Sequence, residues 1–312
     1  MGANSAIETT SSNLPVIVIA VNKLDYYLCK ICVASIRYYY PDISIYLLKD
    51  TLNGAFSTRE LEQYWNVEVI SFVNHQKFGW SAAKMFFVCD PRFQKGRYLL
   101  IDSDIVLIGK IFDNSAFDLN QFDIVVSNEY EDPQGVYFEK NYFNYAQIKA
   151  MDPSYEYPGY TFNAGQLFFR GGFIKKETID PYFDFEKFPF WKRKDLFPLV
   201  DQSLYNYLLP KLERQNELSI GKTPYMIWSE SERCEKLTMT EILQGQHLAL
   251  IHWAGAKRVI DIETMTRNDV LQYFQQYYYA RIPMGFIKIP LEKIQHKATL
   301  FFRKVRKKLS SM

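Results

Sequence analysis

Two carboxylates stand one residue apart in an otherwise apolar stretch of the sequence. Tyr98 to Ile108 reads YLLIDSDIVLI, in which Asp102 and Asp104 flank Ser103. Carboxylates at positions i and i+2, where a buried strand ends, can both reach one Mg²⁺ or Mn²⁺ ion, which would also bridge a diphosphate. A solvated turn between two strands would give the same short motif. We favour the metal site, because a charge interrupts an apolar run at a cost unless something binds it.

A second apolar stretch also ends in a residue that can bind metal. LALIHWAGAK places His252 at the end of a predicted strand, followed by Gly255 and Lys257. A lone histidine is more often a structural residue than a ligand. Here, however, histidine suits Mn²⁺, Gly255 would let the backbone approach phosphate closely, and Lys257 could neutralise charge on a leaving diphosphate.

Two further motifs place polar residues beside predicted elements. YTFNAGQLFFR has Asn163 and Gly165 immediately before a predicted strand, and by itself this is compatible with an ordinary entry from a loop into a strand. Asp201 and Gln202 begin a predicted helix. Asp201 could be the N-cap of that helix, and the carboxylate and amide could equally face a sugar.

The elements that must position these residues alternate between strand and helix. The apolar pattern predicts strands at residues 16–21, 43–48 and 67–72, with a helix between successive strands. Further strands are predicted at 98–101, 123–127, 166–170 and 247–253, and further helices at 81–88 and 201–209. Such alternation predicts a parallel sheet with helices on both faces and ligands at the carboxyl ends of its strands.

Residues 129–160 form a polar, tyrosine-rich segment that Pro133, Pro153 and Pro158 interrupt. We interpret the segment as a long excursion near the rim of the active site. Loops of this length in a compact domain are usually functional or mobile.

The composition is that of an ordinary globular protein. With 312 residues, 48% of them hydrophobic and 23% charged, the chain can form one large domain, or one domain with an appendage. Residues 1–14 are polar and the first apolar run is only long enough for a strand, so we expect neither a signal peptide nor a transmembrane helix. Four cysteines are too few for a disulfide framework and favour a reducing compartment. Cys29 and Cys32 form a CxxC pair with no partner pair, so we expect buried thiols rather than a zinc site.

The basic residues are concentrated at the end of the chain. Residues 290–312 contain seven Lys or Arg but only Glu292 as an acidic residue, although the net charge of the whole chain is +2. Apolar residues alternate with these cations. The pattern predicts an amphipathic basic helix that could lie on an anionic membrane, or a solvated terminal helix whose apolar side packs on the body. We favour membrane contact, because a lipid-carried acceptor would explain it.

The order of the motifs resembles that of a known family. A β-α-β opening is followed by LLIDSDIV, FNAGQLFF, DQSLYN and IHWAGAK. Over roughly residues 15–260 this order resembles glycosyltransferase family 8, which contains glycogenin and bacterial lipooligosaccharide galactosyltransferases. The resemblance implies a GT-A fold, which is an α/β fold with a mixed, mostly parallel sheet flanked by helices. It also implies Mn²⁺ (or Mg²⁺), a UDP-sugar donor and retention of anomeric configuration.

Carried onto this sequence, the resemblance assigns a role to each motif. Asp102, Asp104 and His252 would bind the metal, and Asn163 and Gly165 would line the sugar pocket. The resemblance also implies donor contacts from Lys84, in the helix before the DxD strand, and from Ala20, Val21 and Asn22 at the base. Ser103 and Gly255 are further predicted donor-binding residues.

The resemblance also places Asp201 and Gln202 beside the reacting anomeric carbon. Asp201 would then attack to form a covalent intermediate, or the acceptor would enter on the face that the leaving group vacates. In the second route Gln202 or a backbone carbonyl would steady the cation-like centre.

The sequence departs from the family pattern at two places. The family's first strand commonly ends in an acidic residue that reads uracil, whereas this chain has Asn22 and Lys23. The late motif usually has its lysine three residues after the glycine, whereas Lys257 comes two residues after Gly255 and Arg258 follows. Lys257 or Arg258 would therefore bind the phosphates.

We thus expect a metal-dependent hexosyltransferase that acts on a glycan or lipid-linked acceptor in surface polysaccharide synthesis. Its catalytic domain would span residues 15–265, between a flexible N-terminus (1–14) and a helical appendage with the basic tail (266–312). The expected location is the cytoplasm, with peripheral contact to the inner face of the membrane.

Three other classes of function remain open at this point. An inverting GT-A transferase would need a carboxylate base, for which residues 129–132 offer candidates. A protein that binds a sugar nucleotide without turnover would share the donor site. Nucleic-acid binding is disfavoured, because the body of the chain is mildly acidic and contains no motif of that kind.

Overall fold

The computed structural model describes residues 14–72, 79–255 and 262–294, together with residue 298. The first half contains β1 (Val16–Val21), α1 (Tyr26–Tyr39), β2 (Ile45–Lys49), α2 (Arg59–Trp65), β3 (Val67–Ile70), α3 (Trp80–Cys89), β4 (Arg97–Asp102), β5 (Ile105–Gly109), β6 (Ile124–Val126), β7 (Asn128–Glu129), α4 (Val136–Asn141) and α5 (Tyr145–Met151). The second half contains β8 (Thr161–Phe162), β9 (Gln166–Arg170), α6 (Lys176–Ile179), α7 (Asp201–Arg214), β10 (Ile220–Lys222), β11 (Met226–Trp228), α8 (Glu232–Glu235), α9 (Met239–Leu243), β12 (Gln246–His252) and α10 (Asn268–Ala280). Short 3₁₀ helices lie at Pro91–Phe93, Ile111–Asp113 and Ile262–Thr264, and residues 285–294 are helical.

A seven-stranded sheet forms the centre of the molecule, in the order β10-β6-β9-β4-β1-β2-β3. Its strands pair in parallel except for β9, which runs antiparallel to both β4 and β6. Alternate residues of β1 enter two different cores, with Ile17 and Ile19 on one face and Val18 on the other. Because both faces are covered, the strands are almost continuously apolar. The predicted mixed, mostly parallel sheet is confirmed.

The order of the strands creates a crevice at one edge of the sheet. The chain moves outward from β1 to β2 and β3, then returns to the other side of β1 as β4. Ala20 and Asp102 are register partners near the carboxyl ends of β1 and β4. In open α/β sheets, ligands bind at such a reversal of strand order.

A smaller sheet, in the order β11-β12-β5, brings the second motif to the same place. The chain turns at Ser103 and Asp104 directly from β4 into β5, so the DxD motif joins the two sheets. β12 runs antiparallel to β5, and its last residue, His252, is the register partner of Ile105. The DxD motif does therefore lie in a turn between two strands, but the ends of β1 and β12 surround that turn.

Two sequence predictions need correction. Residues 129–160 are not one irregular excursion, because they include α4, α5 and β7, and the segment ends next to β8, the partner of β7. These elements are too short for hydrophobic periodicity to reveal them. α7 continues through Pro210 to Arg214 instead of ending at Leu209.

The prediction for the CxxC pair agrees with the structure. Cys29 and Cys32 are free thiols buried in α1. None of the helices in the described ranges is both long enough and apolar enough to cross a membrane. The predicted N-terminal segment falls almost entirely outside the described residues, and the domain division at residue 265 remains a prediction.

Candidate active site

Three predicted metal ligands converge at the carboxyl ends of β4 and β12. One ligand atom from each of Asp102, Asp104 and His252 lies within 4.8 Å of the other two. His252 Nε2 is 3.2 Å from Asp104 Oδ1, and the His252 side chain is only 2% exposed. Main-chain hydrogen bonds fix the backbone at both aspartates, since Asp102 N donates to Gly165 O at 2.7 Å and Trp253 N donates to Asp104 O at 3.1 Å.

Gly165 lies against this cluster. A Cβ atom at this position would be 2.6 Å from Asn163 Oδ1 and from His252 Cε1, and 2.8 Å from Asp102 Oδ2. Real Cβ atoms do not approach other atoms so closely, so only glycine lets the carboxylate and imidazole meet here. The His252 Nδ1 atom is buried and has no hydrogen-bond partner among the described residues. The two carboxylates and the imidazole thus surround a space that a methyl group would fill. Carboxylate and imidazole groups are suitable ligands for Mn²⁺.

Lys84 lies behind the cluster and is fully buried in α3. Its Nζ atom is 2.7 Å from Asp102 Oδ1 and 3.2 Å from Asp201 Oδ2, and it donates to Ala164 O at 3.2 Å. Burial lowers the pKa of Lys84, but the two carboxylates outweigh it and raise the pKa overall. Lys84 is therefore a permanent cation between the DxD motif and the start of α7.

Burial raises the pKa of all three carboxyl groups, but their charged neighbours make the net shifts differ. Burial raises the pKa of Asp102 to about 6, against the opposing effect of Lys84 and with a further increase from Asp104. Burial also raises the pKa of Asp201, which Lys84 partly offsets. For Asp104, burial is outweighed by His252, so the pKa of Asp104 is lowered. Asp104 is thus the more persistent anion of the DxD pair.

Asp201 and Gln202, at the start of α7, take different positions. Asp201 is 1% exposed and pairs with Lys84. Gln202 lines the cleft in front of the cluster, where its Oε1 accepts from Asn163 Nδ2 at 2.9 Å and its Nε2 donates to Asn141 O at 2.8 Å. Successive residues of a helix point about 100° apart, which accounts for the separation.

The backbone is strained where α7 begins. Val200, immediately before Asp201, has a φ of 44°. This conformation is costly for a β-branched residue, and such strain is commonly found at functional sites. Val200 also lines the cleft, so the strained turn forms part of its wall.

The cleft has a volume of about 800 Å³. Its wall includes the following residues predicted from the sequence: Ala20, Asn22, Asp102, Ser103, Asp104, Asn163, Gln202, His252 and Gly255. The predicted residues Val21, Lys84, Gly165 and Asp201 do not line it. Lys257 and Arg258 fall outside the described residues.

The end of β1 supplies a polar group where the sequence lacks the expected acidic residue. The Asn22 amide donates to the Asp25 carboxylate, and both residues line the cleft. Trp80, at the start of α3, also lines the cleft, and the Lys84 Nζ atom lies 4.7 Å from the centre of its ring. Sequence reasoning missed Asp25 and Trp80 because neither belongs to a motif.

Other residues of the cleft wall were also missed. Tyr137 and Asn141 from α4, Leu199 before α7, and Trp228 at the end of β11 lie there. The aromatic residues in the 129–160 segment were a signal, since Tyr137 of this segment lies on the wall of the cleft.

No protein-family model and no curated protein matches this chain, but solved structures match its fold. The galactosyltransferase LgtC, solved with donor and acceptor sugar analogs, is 14% identical with a TM-score of 0.52, and the match covers 86% of this chain and 96% of LgtC. The bifunctional glycosyltransferase WbbM is 14% identical with a TM-score of 0.53, covering 91% of this chain and 52% of WbbM. The apo-form glycosyltransferase GlyE of Streptococcus pneumoniae TIGR4 is 13% identical with a TM-score of 0.49, covering 91% and 64%.

This chain has the GT-A fold. It spans less than two thirds of GlyE, about half of WbbM and nearly all of LgtC. Identities near 14% establish the architecture and leave the activity to be argued from the site itself.

Proposed function

We propose that this chain is a metal-dependent glycosyltransferase, which moves a hexose from a nucleotide-diphosphate donor to an acceptor hydroxyl. The observation that supports it most strongly is the Asp102, Asp104 and His252 cluster at the strand-order reversal of a GT-A fold. A divalent cation bound there, Mn²⁺ or Mg²⁺, would neutralise the charge that develops on the departing diphosphate.

The donor would lie across the carboxyl ends of β1 and β4. Its base would meet Ala20 and Asn22, beside Asp25 and Trp80, and we propose that this base is uracil. Ser103 and Gly255 would face the phosphates. The sugar would then lie near Asn163 and Gln202, whose side chains hydrogen-bond to each other at 2.9 Å.

We further propose transfer with retention. Asp201 is buried and paired with Lys84, which supports a positioning role for Asp201 rather than attack on the sugar. Gln202 lines the cleft instead. This arrangement favours the route in which the acceptor enters on the face that the leaving group vacates, beside the Gln202 amide.

The acceptor would enter from the side of the cleft formed by α4. Tyr137 is 55% exposed there and Asn141 lies next to it, and aromatic and amide groups are well suited to the faces and hydroxyls of a sugar. We therefore propose a glycan or lipid-linked glycan acceptor, as in the synthesis of surface polysaccharides.

Contact with an anionic membrane is a separate part of the proposal. Phe286, Leu291 and Ile294, in the helical stretch 285–294, are 78%, 57% and 65% exposed. The basic residues of 290–312 begin within this stretch. Apolar side chains beside cations suit an anionic lipid surface, which would place the enzyme peripherally on the cytoplasmic face of the membrane.

The test is release of nucleoside diphosphate from a panel of nucleotide sugars, with Mn²⁺ and with a chelator. We expect one donor to be hydrolysed, preferentially a UDP-sugar, and the chelator to abolish the reaction. NMR of the first product would show the retained anomer, whereas an inverted anomer would support a base among residues 129–132. Donor binding without turnover would support a non-catalytic protein, and no binding would contradict the proposal.

A further inference from the structure

We infer that Trp228, fixed by Glu129, is a positioning residue that holds the His252 imidazole in its metal-binding orientation. This inference rests on the proposed function, because it assigns a purpose to these residues only if the cluster binds a cation. Neither residue belongs to the motifs that suggested the site.

The pairing of β11 with β12 brings the two rings together. The strands run in parallel with Trp228 and His252 as register partners, so the side chains leave the small sheet side by side. The ring centroids are 5.4 Å apart and the planes differ by 17°, which is a stacked arrangement. The indole thus limits rotation of the imidazole out of its plane.

Glu129 fixes the indole in turn. The Trp228 Nε1–H donates to the Glu129 carboxylate. Glu129 belongs to β7, whose pairing with β8 places it opposite Thr161, two residues before Asn163. The contact therefore ties the small sheet to the β7–β8 strand pair, which leads into Asn163 on the cleft wall.

The His252 imidazole needs a neighbouring group that fixes its orientation. A metal-binding histidine usually donates its second ring N–H to a carboxylate or carbonyl, which fixes the ring orientation. In the described part of the chain the His252 Nδ1 atom has no such partner, while its Nε2 faces Asp104 at 3.2 Å. Stacking on Trp228 supplies the orientation that this hydrogen bond would otherwise give.

Trp253 provides a matched control. It is the next residue after His252, is 2% exposed, and its Nε1–H donates to Thr266 O at 2.8 Å. Trp253→Phe therefore removes one partly buried indole hydrogen bond, as Trp228→Phe does. It changes no ring stacked on His252 and keeps the main-chain N–H that donates to Asp104 O.

The experiment is calorimetric titration of Mn²⁺ into the donor-free full-length protein, with thermal unfolding of every variant. We expect Trp228→Ala to weaken Mn²⁺ binding by about 10-fold or more, the usual effect of removing a group that supports a metal ligand. Trp228→Phe and Glu129→Ala should weaken it less, because part of the support remains. The double variant Trp228→Phe/Glu129→Ala should be no weaker than the poorer single variant, since both changes remove the same hydrogen bond. Trp253→Phe should bind Mn²⁺ like the unaltered protein.

Unchanged Mn²⁺ affinity in folded Trp228→Ala would overturn the inference. If that variant does not fold, unchanged affinity in both Trp228→Phe and Glu129→Ala would do so. An equal loss of affinity in Trp253→Phe would also overturn it, because the effect would then be general destabilisation. These results would leave the proposed function intact. Failure of the unaltered protein to bind Mn²⁺ would instead contradict both, and donor hydrolysis would fail with it.

Discussion

Gly165 is the residue at which a single methyl group would disturb the candidate metal site most directly. Gly165→Ala puts a Cβ within 2.8 Å of Asp102, Asn163 and His252 atoms, so these groups must move apart. We expect Mn²⁺ affinity to fall by about 10-fold or more, as when support for metal ligands is lost. Calorimetric titration would measure the change.

Gly79→Ala is the control for this substitution. Its Cβ would meet nothing closer than Leu52 Cδ2 at 3.7 Å, an ordinary contact. The two variants should therefore differ in metal affinity. Equal affinity in Gly165→Ala and in the unaltered protein would show that the cluster does not bind the ion.

The pH dependence of metal binding follows from Asp102. Burial raises the pKa of this carboxyl group to about 6 in the metal-free protein. Above that pH the group is an anion and can bind a cation, whereas below it a proton competes. We expect Mn²⁺ affinity to be constant above about pH 7 and to fall by about tenfold per unit below pH 6. Constant affinity between pH 7 and pH 5 would contradict this assignment.

Motif residues could be predicted from the sequence, but their supporting partners could not. Asp102 and Asp104 interrupt an apolar run, and His252 ends a strand, so each leaves a local signal. Glu129 and Trp228 leave none, because their contact joins positions 99 residues apart. The burial of Asp201 against Lys84 likewise depends on how α3 and α7 pack.

At the scale of elements, Asn206 links α7 to the strand that precedes Asn163. Its Oδ1 accepts from Phe162 N at 3.0 Å and its Nδ2 donates to Phe162 O at 2.8 Å. Asn206→Ala would leave both buried main-chain groups unpaired, so we expect the free energy of unfolding to fall by about 1–3 kcal/mol. Urea denaturation would measure it.

Asn120→Ala is the comparison, because exposed Asn120 accepts a single hydrogen bond from Arg97. A change within about 0.5 kcal/mol is expected there. If the two variants lost equal stability, the link between α7 and β8 would not be a specific support of the site.

The long strands could be predicted more readily than the short ones. β1 and β9 lie where the apolar pattern places them, since continuous apolar runs mark strands buried on both faces. β10 and β11 have three residues each, too few for any periodicity to show. Helices α4 and α5 were missed for the same reason, and the position of Tyr137 on the cleft wall depends on α4.

At the scale of the whole molecule, ion pairs fix the helical stretch 285–294 to the body. Glu292 pairs with buried Lys30 of α1 at 2.7 Å, and Lys288 pairs with Glu60 of α2 at 2.6 Å. Both contacts hold the stretch beside the first two helices. The exposed apolar residues in this stretch are therefore presented from a fixed position.

The proposed membrane contact can be tested on these residues. Replacing Phe286, Leu291 and Ile294 together by Ser should weaken sedimentation with phosphatidylglycerol vesicles by about 10-fold or more, because burying such a side chain contributes about 1.5–3 kcal/mol. Thermal unfolding should change little, since all three are exposed. Phe188→Ser, also at an exposed position, should bind as the unaltered protein does. Equal binding by the triple variant would contradict the proposed contact.

The measurement that tests the central claim most directly is Mn²⁺-dependent release of nucleoside diphosphate by the unaltered protein and by Asp104→Ala. Asp104 is the carboxylate whose pKa is lowered beside His252, and it lines the cleft. We predict that the unaltered protein turns over one donor and that the variant loses about 10²–10³-fold in rate while remaining folded, as expected when a positioned electrostatic group is lost. Equal, chelator-resistant rates in the two proteins would contradict a metal-dependent transferase at this site.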